Sequence, residues 1–129
     1  MERRAINPWS WQDAYGFVQA NEITGAQKVL YCSGQTSVDE SGTPVHEGDM
    51  AAQAGKALDN LEAVLKDAGM DLSNVVHLTI YTTDVDATIA SLGTIGPRLA
   101  PIKAAQTLIG VARLAFPPMM IEIEATAVA

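Results

Sequence analysis

The sequence predicts an α+β fold of order ββαβαββ, a mixed sheet with two helices on one face. Three observations carry that prediction. β-prone runs sit near both ends, one long apolar stripe of helical period occupies the first half, and each helical segment has only a single stripe to bury.

Residues 17–22 and 28–33 are short β-prone runs joined by Ile23-Thr24-Gly25-Ala26, a pattern that predicts a hairpin with its turn near Gly25. Residues 34–48 are polar and Gly-rich, and within this loop Asp39 to Gly48 reads as the one long flexible stretch. It ends at Asp49, a helix N-cap residue type. From there Met50, Ala54, Ala57, Leu58, Leu61, Val64, Leu65 and Ala68 recur at three- and four-residue steps until Gly69 stops the pattern. The opposite side carries Gln53, Lys56, Asp59, Glu62 and Lys66, so this helix covers something on one side only.

Residues 75–84 alternate as a strand, with Val76, Leu78 and Ile80 on one side and His77, Thr79 and Tyr81 on the other. A second helix is expected over 86–99, weakened by Gly93 and Gly96 and kinked or ended by Pro97. The last two strands fall at 107–114 and 120–128, separated by Ala115-Phe116-Pro117-Pro118. In the final strand Ile121, Ile123, Ala125 and Ala127 fit under the helices. Met120, Glu122, Glu124, Thr126 and Val128 form a mixed face that suits a subunit interface with polar clefts.

With 129 residues and 48% hydrophobic residues, the chain is expected to form one domain over 1–129. Eight Lys and Arg against fifteen Asp and Glu give a net charge of -7, which argues against nucleic acid and anionic membrane as partners. No apolar run approaches the ~18 residues of a membrane span, and the start MERRAINPWSW lacks the apolar core of a secretory signal, so a cytoplasmic location is expected. Cys32 is the sole cysteine. With only His46 and His77 beside it, no zinc-type ligand cluster is expected.

Ser33-Gly34-Gln35, the segment Asp49-Met50-Ala51-Ala52-Gln53-Ala54 running on to Leu58-Asp59-Asn60-Leu61, and Val111-Ala112-Arg113-Leu114 with Ile121-Glu122-Ile123-Glu124-Ala125 together resemble one family. It is the Rid (RidA/YjgF) family of reactive-intermediate deaminases, and the resemblance runs from about Gly16 to the C-terminus. It implies a chorismate-mutase-like subunit assembled as a homotrimer, with a small-molecule cleft between neighbouring subunits. It also implies hydrolysis of enamines and imines such as 2-aminoacrylate to a keto acid and ammonia, without metal or organic cofactor. The family carries an older label as translation inhibitor or endoribonuclease, which the acidic balance and lack of a basic stripe disfavour.

The resemblance implies a substrate-carboxylate anchor, an Arg in a Pro-Ala-Arg-Ser stretch before Val-Ala-Arg-Leu. Counting back from Val111 without a gap, that position is Gln106, in Ala104-Ala105-Gln106-Thr107. An Arg clamp on a carboxylate contributes about 1.5–3 kcal/mol against about 1 kcal/mol for a neutral amide, so carboxylate binding should weaken on the order of tenfold. Phe17 stands where a Tyr is frequent, Leu92 where an Asn is found and Leu108 where a Cys often sits. Ser33 and Gly34 match. So does Glu122, the position of the family's pocket acid, which makes it the candidate for moving the proton.

Each candidate also has a purely structural reading. Gln106 reads equally as a strand-end polar residue satisfying backbone groups, Phe17 as core, and Glu122 as one of a solvated pair with Glu124. Lys103 and Arg98 lie near enough in sequence to replace the missing cation. Cys32 reads as a buried small hydrophobe rather than a nucleophile, His77 as a packed histidine rather than a base, and Trp9, Trp11 and Tyr15 as aromatics that pack a terminal arm. Two functions are nearly level: an enamine or imine hydrolase with altered specificity, and a binding or regulatory trimer without turnover.

Overall fold

A computed structural model describes residues 1–129. Its strands are β1 (Glu2–Ile6), β2 (Ala20–Thr24), β3 (Val29–Gln35), β4 (Val75–Thr82), β5 (Ala105–Gly110) and β6 (Ile121–Val128). Its helices are α1 (Met50–Asp67), α2 (Val85–Ala90) and α3 (Leu92–Leu99), with a 3-10 turn at Trp11–Tyr15. The main sheet is mixed and ordered β3-β6-β4-β5, with β4 and β5 parallel and the other pairs antiparallel. The predicted α+β class and mixed sheet hold.

α1 forms where the stripe requires it. Asp49 accepts the Ala52 N–H at 3.0 Å as N-cap, and past the end Met70 N reaches back to Leu65 O at 2.8 Å across Gly69 at φ +73°. Ala54, Ala57, Leu58, Leu61 and Leu65 are fully buried against β3 and β6. Each of those leucines contributes roughly 1.5–3 kcal/mol of apolar burial. Val64, assigned to the stripe, is exposed, because the 3.6-residue turn carries it off the contact line that Leu61 and Leu65 occupy. Gln53, expected on the outer side, is buried instead. Its amide donates to His46 O and Pro118 O and accepts from Met120 N, tying α1 to the segment before β6.

The second helix is two helices. The break falls at Ser91, whose hydroxyl bonds Ala87 O at 2.8 Å and competes with continued helix, while Pro97 is accommodated inside α3. The predicted hairpin is absent. A turn does occur at Gly25 (φ +72°), but β2 pairs with β1 and β3 pairs with β6. Beside Ala127 and Ala125, Leu30 and Cys32 gain a helix-covered position that the polar strand ANEIT could not offer. β1 was not predicted at all. Arg3 latches it, donating to Ser73 O, Ile102 O and Lys103 O, and Val18, two residues before β2, bridges to Ala105 of β5.

The loop expected to be flexible is cross-tied. Ser37 bonds Val45 O, Asp39 accepts from the backbone of Ser41 and Thr43, and Asn60 of α1 donates to Thr36 O and Val38 O. No helix is long and apolar enough to cross a membrane.

Candidate functional site

Side chains alternate between the two faces of a sheet, and residues in register on neighbouring strands share a face. Leu78 stands beside Ala125 and Gln106, and Ile80 beside Ile123 and Leu108. Ile121, Ile123, Ala125 and Ala127 are buried under the helices as predicted, so Gln106 and Leu108 project to the helix-covered side. Tyr81 stands beside Glu122, on the open side. The candidate residues therefore fall into two groups on opposite faces.

The first group lines a cleft of about 910 Å³ at the β5 end of the sheet. Phe17, Leu92, Gln106 and Leu108, all singled out from sequence, share its wall with residues of α2, α3 and the 3-10 turn. Gln106 is half-buried, and its side-chain amide takes no partner inside the chain. The lining is mainly apolar, with Asp13 its one charged residue.

Neither proposed substitute cation reaches this cleft. Arg98 points to the outside of α1, with Nη1 2.9 Å from Asp59 Oδ1 and Nη2 3.1 Å from Glu62 Oε2. Lys103 sits at a left-handed corner (φ +52°) off the lining.

The second group is Ser33, Gly34 and Glu122. At the irregularity between Cys32 and Gln35, the Glu122 carboxylate lies so close over Gly34 that any Cβ there would overlap it. That close approach explains the glycine. Glu124, two residues on, accepts the Tyr81 hydroxyl at 2.6 Å, and this bond is the first cause of a Tyr81 pKa raised above the usual tyrosine value. Glu122 and Glu124 are both half-buried, and Glu124 is the one that accepts the Tyr81 hydroxyl.

Three further expectations resolve here. Cys32 is buried in the core, and burial pushes its thiol pKa up, as fits a small hydrophobe. His77 is not packed: it is exposed on the open face, beside a hollow of about 230 Å³ that it shares with Tyr31, Glu124 and Thr126. Trp11 and Tyr15 do not pack the arm either. They are 56% and 70% exposed and line the cleft, while Gln12 between them is the buried anchor. Gly16, at φ +72°, holds this turn against Ala100 so closely that a Cβ would come within 2.8 Å of the Ala100 Cβ. That aromatic wall is the part of the cleft sequence reasoning missed. Its signal was the clustering of Trp11, Tyr15 and Phe17 within seven residues.

Fold and cleft together define a small α+β protein with a large apolar cavity at one sheet edge. The profile of the endoribonuclease L-PSP family matches residues 12–129. The crystal structure of YyfB, a Rid-family protein from Yersinia pestis, superposes with a TM-score of 0.86 at 34% identity, covering 100% of both chains. Protein DfrA of Myxococcus xanthus is 38% identical over 86 residues, 66% of this chain and 65% of that protein. The 2-iminobutanoate/2-iminopropanoate deaminase of Rattus norvegicus is 39% identical over 59 residues, 46% of this chain and 43% of the enzyme. The alignments thus span under two-thirds of each of these two relatives. The chain belongs to the Rid/YjgF family.

Proposed function

We propose that the protein is a homotrimeric hydrolase of imines or enamines that lack the carboxylate taken by the deaminase-named relatives. The observation that carries this reading is the cleft at Gln106: a free amide in an apolar wall with no cation among its lining residues. Transfer of a carboxylate into such a site lacks the counter-charge that would offset its desolvation, whereas a carbonyl or amide can bond Gln106 directly.

In the reaction, water adds to the imine carbon and its oxygen forms the new C–O bond, while the nitrogen takes up a proton. The resulting carbinolamine then breaks its C–N bond, so that ammonia leaves and a ketone or aldehyde remains. Both steps need a group that shuttles a proton between oxygen and nitrogen. Glu122 is the candidate for that role. Because Glu122 and Gln106 occupy opposite faces of one sheet, the complete site pairs the Gln106 cleft of one subunit with the Ser33-Gly34-Glu122 group of a neighbour. That requirement supports an oligomer with its ligands at subunit boundaries.

The test is ammonia release from a panel of neutral and carboxylated imines, with assembly followed by light scattering. Turnover of neutral substrates that falls about 100-fold in Glu122→Gln is the expected result. Failure to accelerate any member of the panel defeats the hydrolase reading and leaves the binding trimer. Gln106→Arg distinguishes a changed specificity from lost chemistry: 2-aminoacrylate deamination should rise about tenfold or more if the remaining machinery is intact.

A further inference from the structure

Three aromatic rings stand together on one wall of the cleft. Trp11 meets Tyr15 edge-on, with centroids 6.3 Å apart at 71°, and meets Phe17 likewise at 5.7 Å and 74°. Asp13, on the same turn, is the only acidic or basic residue in the lining, and it is exposed, with one weak internal partner, Gln12 Nε2 at 3.4 Å. Gly16 fixes the end of that turn closely against Ala100.

Aromatic faces carry negative charge density and attract cations, and a carboxylate beside them adds to the same preference. The arrangement repels an anion for both reasons. The half-exposed Trp11 and the largely exposed Tyr15 still have ring surface to give to a ligand.

We infer that this wall is a cation-accepting subsite, so that the ligand of the cleft carries a nitrogen cation, an ammonium or iminium group, on an apolar body. The inference rests on the cleft being the ligand site and deepens the proposed function by adding the sign of the ligand's charge. It also explains why a cation in place of Gln106 would be out of keeping with the lining. The family model matches from Gln12 onward, so Asp13, Tyr15 and Phe17 of this wall fall within it and Trp11 immediately precedes it.

The experiment compares three probes of matched chain length by isothermal titration calorimetry on the intact protein: hexyltrimethylammonium, 1-hexanol and hexanoate. The cation should bind at least about fivefold more tightly than the alcohol, with hexanoate the weakest. In Trp11→Leu and in Tyr15→Leu, neither of which alters charge, that preference should shrink to within about twofold. Asp13→Asn should reduce it by a smaller factor. Should Trp11→Leu disturb the fold, as seen in its thermal melt, Tyr15→Leu alters a largely exposed ring and serves alone. Hexanoate binding as tightly as the cation overturns the inference and leaves the hydrolase reading standing. A cation preference that survives both aromatic substitutions also overturns it, assigning the effect to the net charge of -7. Binding of none of the three overturns the inference, and ammonia release from the imine panel then decides the hydrolase reading separately. Ammonia release without any cation preference defeats this inference alone.

Discussion

The two faces of the main sheet are built from alternate residues of the same strands, yet only one of them is finished within this chain. On the helix side Ile121, Ile123, Ala125 and Ala127 are at most 5% exposed. On the other side their immediate neighbours Glu122 and Glu124 stay half-buried, with His77 exposed beside them. The contrast is sharpest in β3, where Cys32 is 9% exposed and Tyr31, next to it, 81%. One face holds the chain together, whereas the other presents aromatic, acidic and imidazole groups that its own fold does not cover. Alternation along each strand thereby separates a packed face, which carries the Gln106 cleft at its β5 edge, from an open one that carries Glu122.

That separation can be broken most forcefully from the core. Leu61→Ala should cost about 2–5 kcal/mol in urea unfolding, independently of protein concentration, because the cavity lies inside one chain. Tyr31→Ala should instead act through assembly, its effect on the melting temperature fading as the protein is diluted into monomers. A concentration-independent loss for Tyr31→Ala as large as that for Leu61→Ala would erase the distinction between the faces.

Gly34→Ala comes next. Its methyl group would displace the Glu122 carboxylate, the movable end of a side chain, so turnover should fall about 100-fold while stability changes by less than ~1 kcal/mol. Equal activity in the variant would remove Glu122 from the proton-transfer role.

Smaller in effect is the thiol. Burial raises the Cys32 pKa, so a thiol-titrating reagent at neutral pH should modify the native protein far more slowly than the unfolded chain. Rapid native labelling would place Cys32 on the wrong side of the sheet. Smallest is the Tyr81–Glu124 bond. Since the folded Tyr81 pKa is raised, its stabilisation is present below the ordinary tyrosine pKa and declines as pH rises through the folded value. Ultraviolet titration should show one tyrosine ionising later than the rest, and Tyr81→Phe should abolish that late step.

Local signals proved legible, and long-range pairing did not. α1 could be read end to end because its cap, stripe and Gly69 terminator are all encoded within about twenty residues. The strand positions of β4 and β6 followed from alternation alone. The β2-β3 hairpin failed because turn chemistry at Gly25 says that the chain reverses, not which strand it then joins. β1 escaped notice because ERRAI has no apolar alternation, its place being set by the ladder to β2 and by one guanidinium on three distant carbonyls. At the site, Phe17, Leu92, Gln106 and Leu108 were found by resemblance and do converge. Trp11 and Tyr15 were misassigned because their outward placement depends on Gly16 docking at Ala100, a contact 84 residues apart that no sequence window contains.

The Arg3 latch bears on how this protein should be handled. An expression fragment trimmed to the start of the shared family unit would discard the guanidinium and its strand together. Ser73 and Ile102 would then have carbonyls facing water, Lys103 would keep only the Asn21 amide as a donor to its carbonyl, and the aromatic turn would hang from a loose end. Affinity tags and fusions are therefore better attached beyond Ala129, and inactivity in an amino-terminally shortened fragment would say little about the intact molecule.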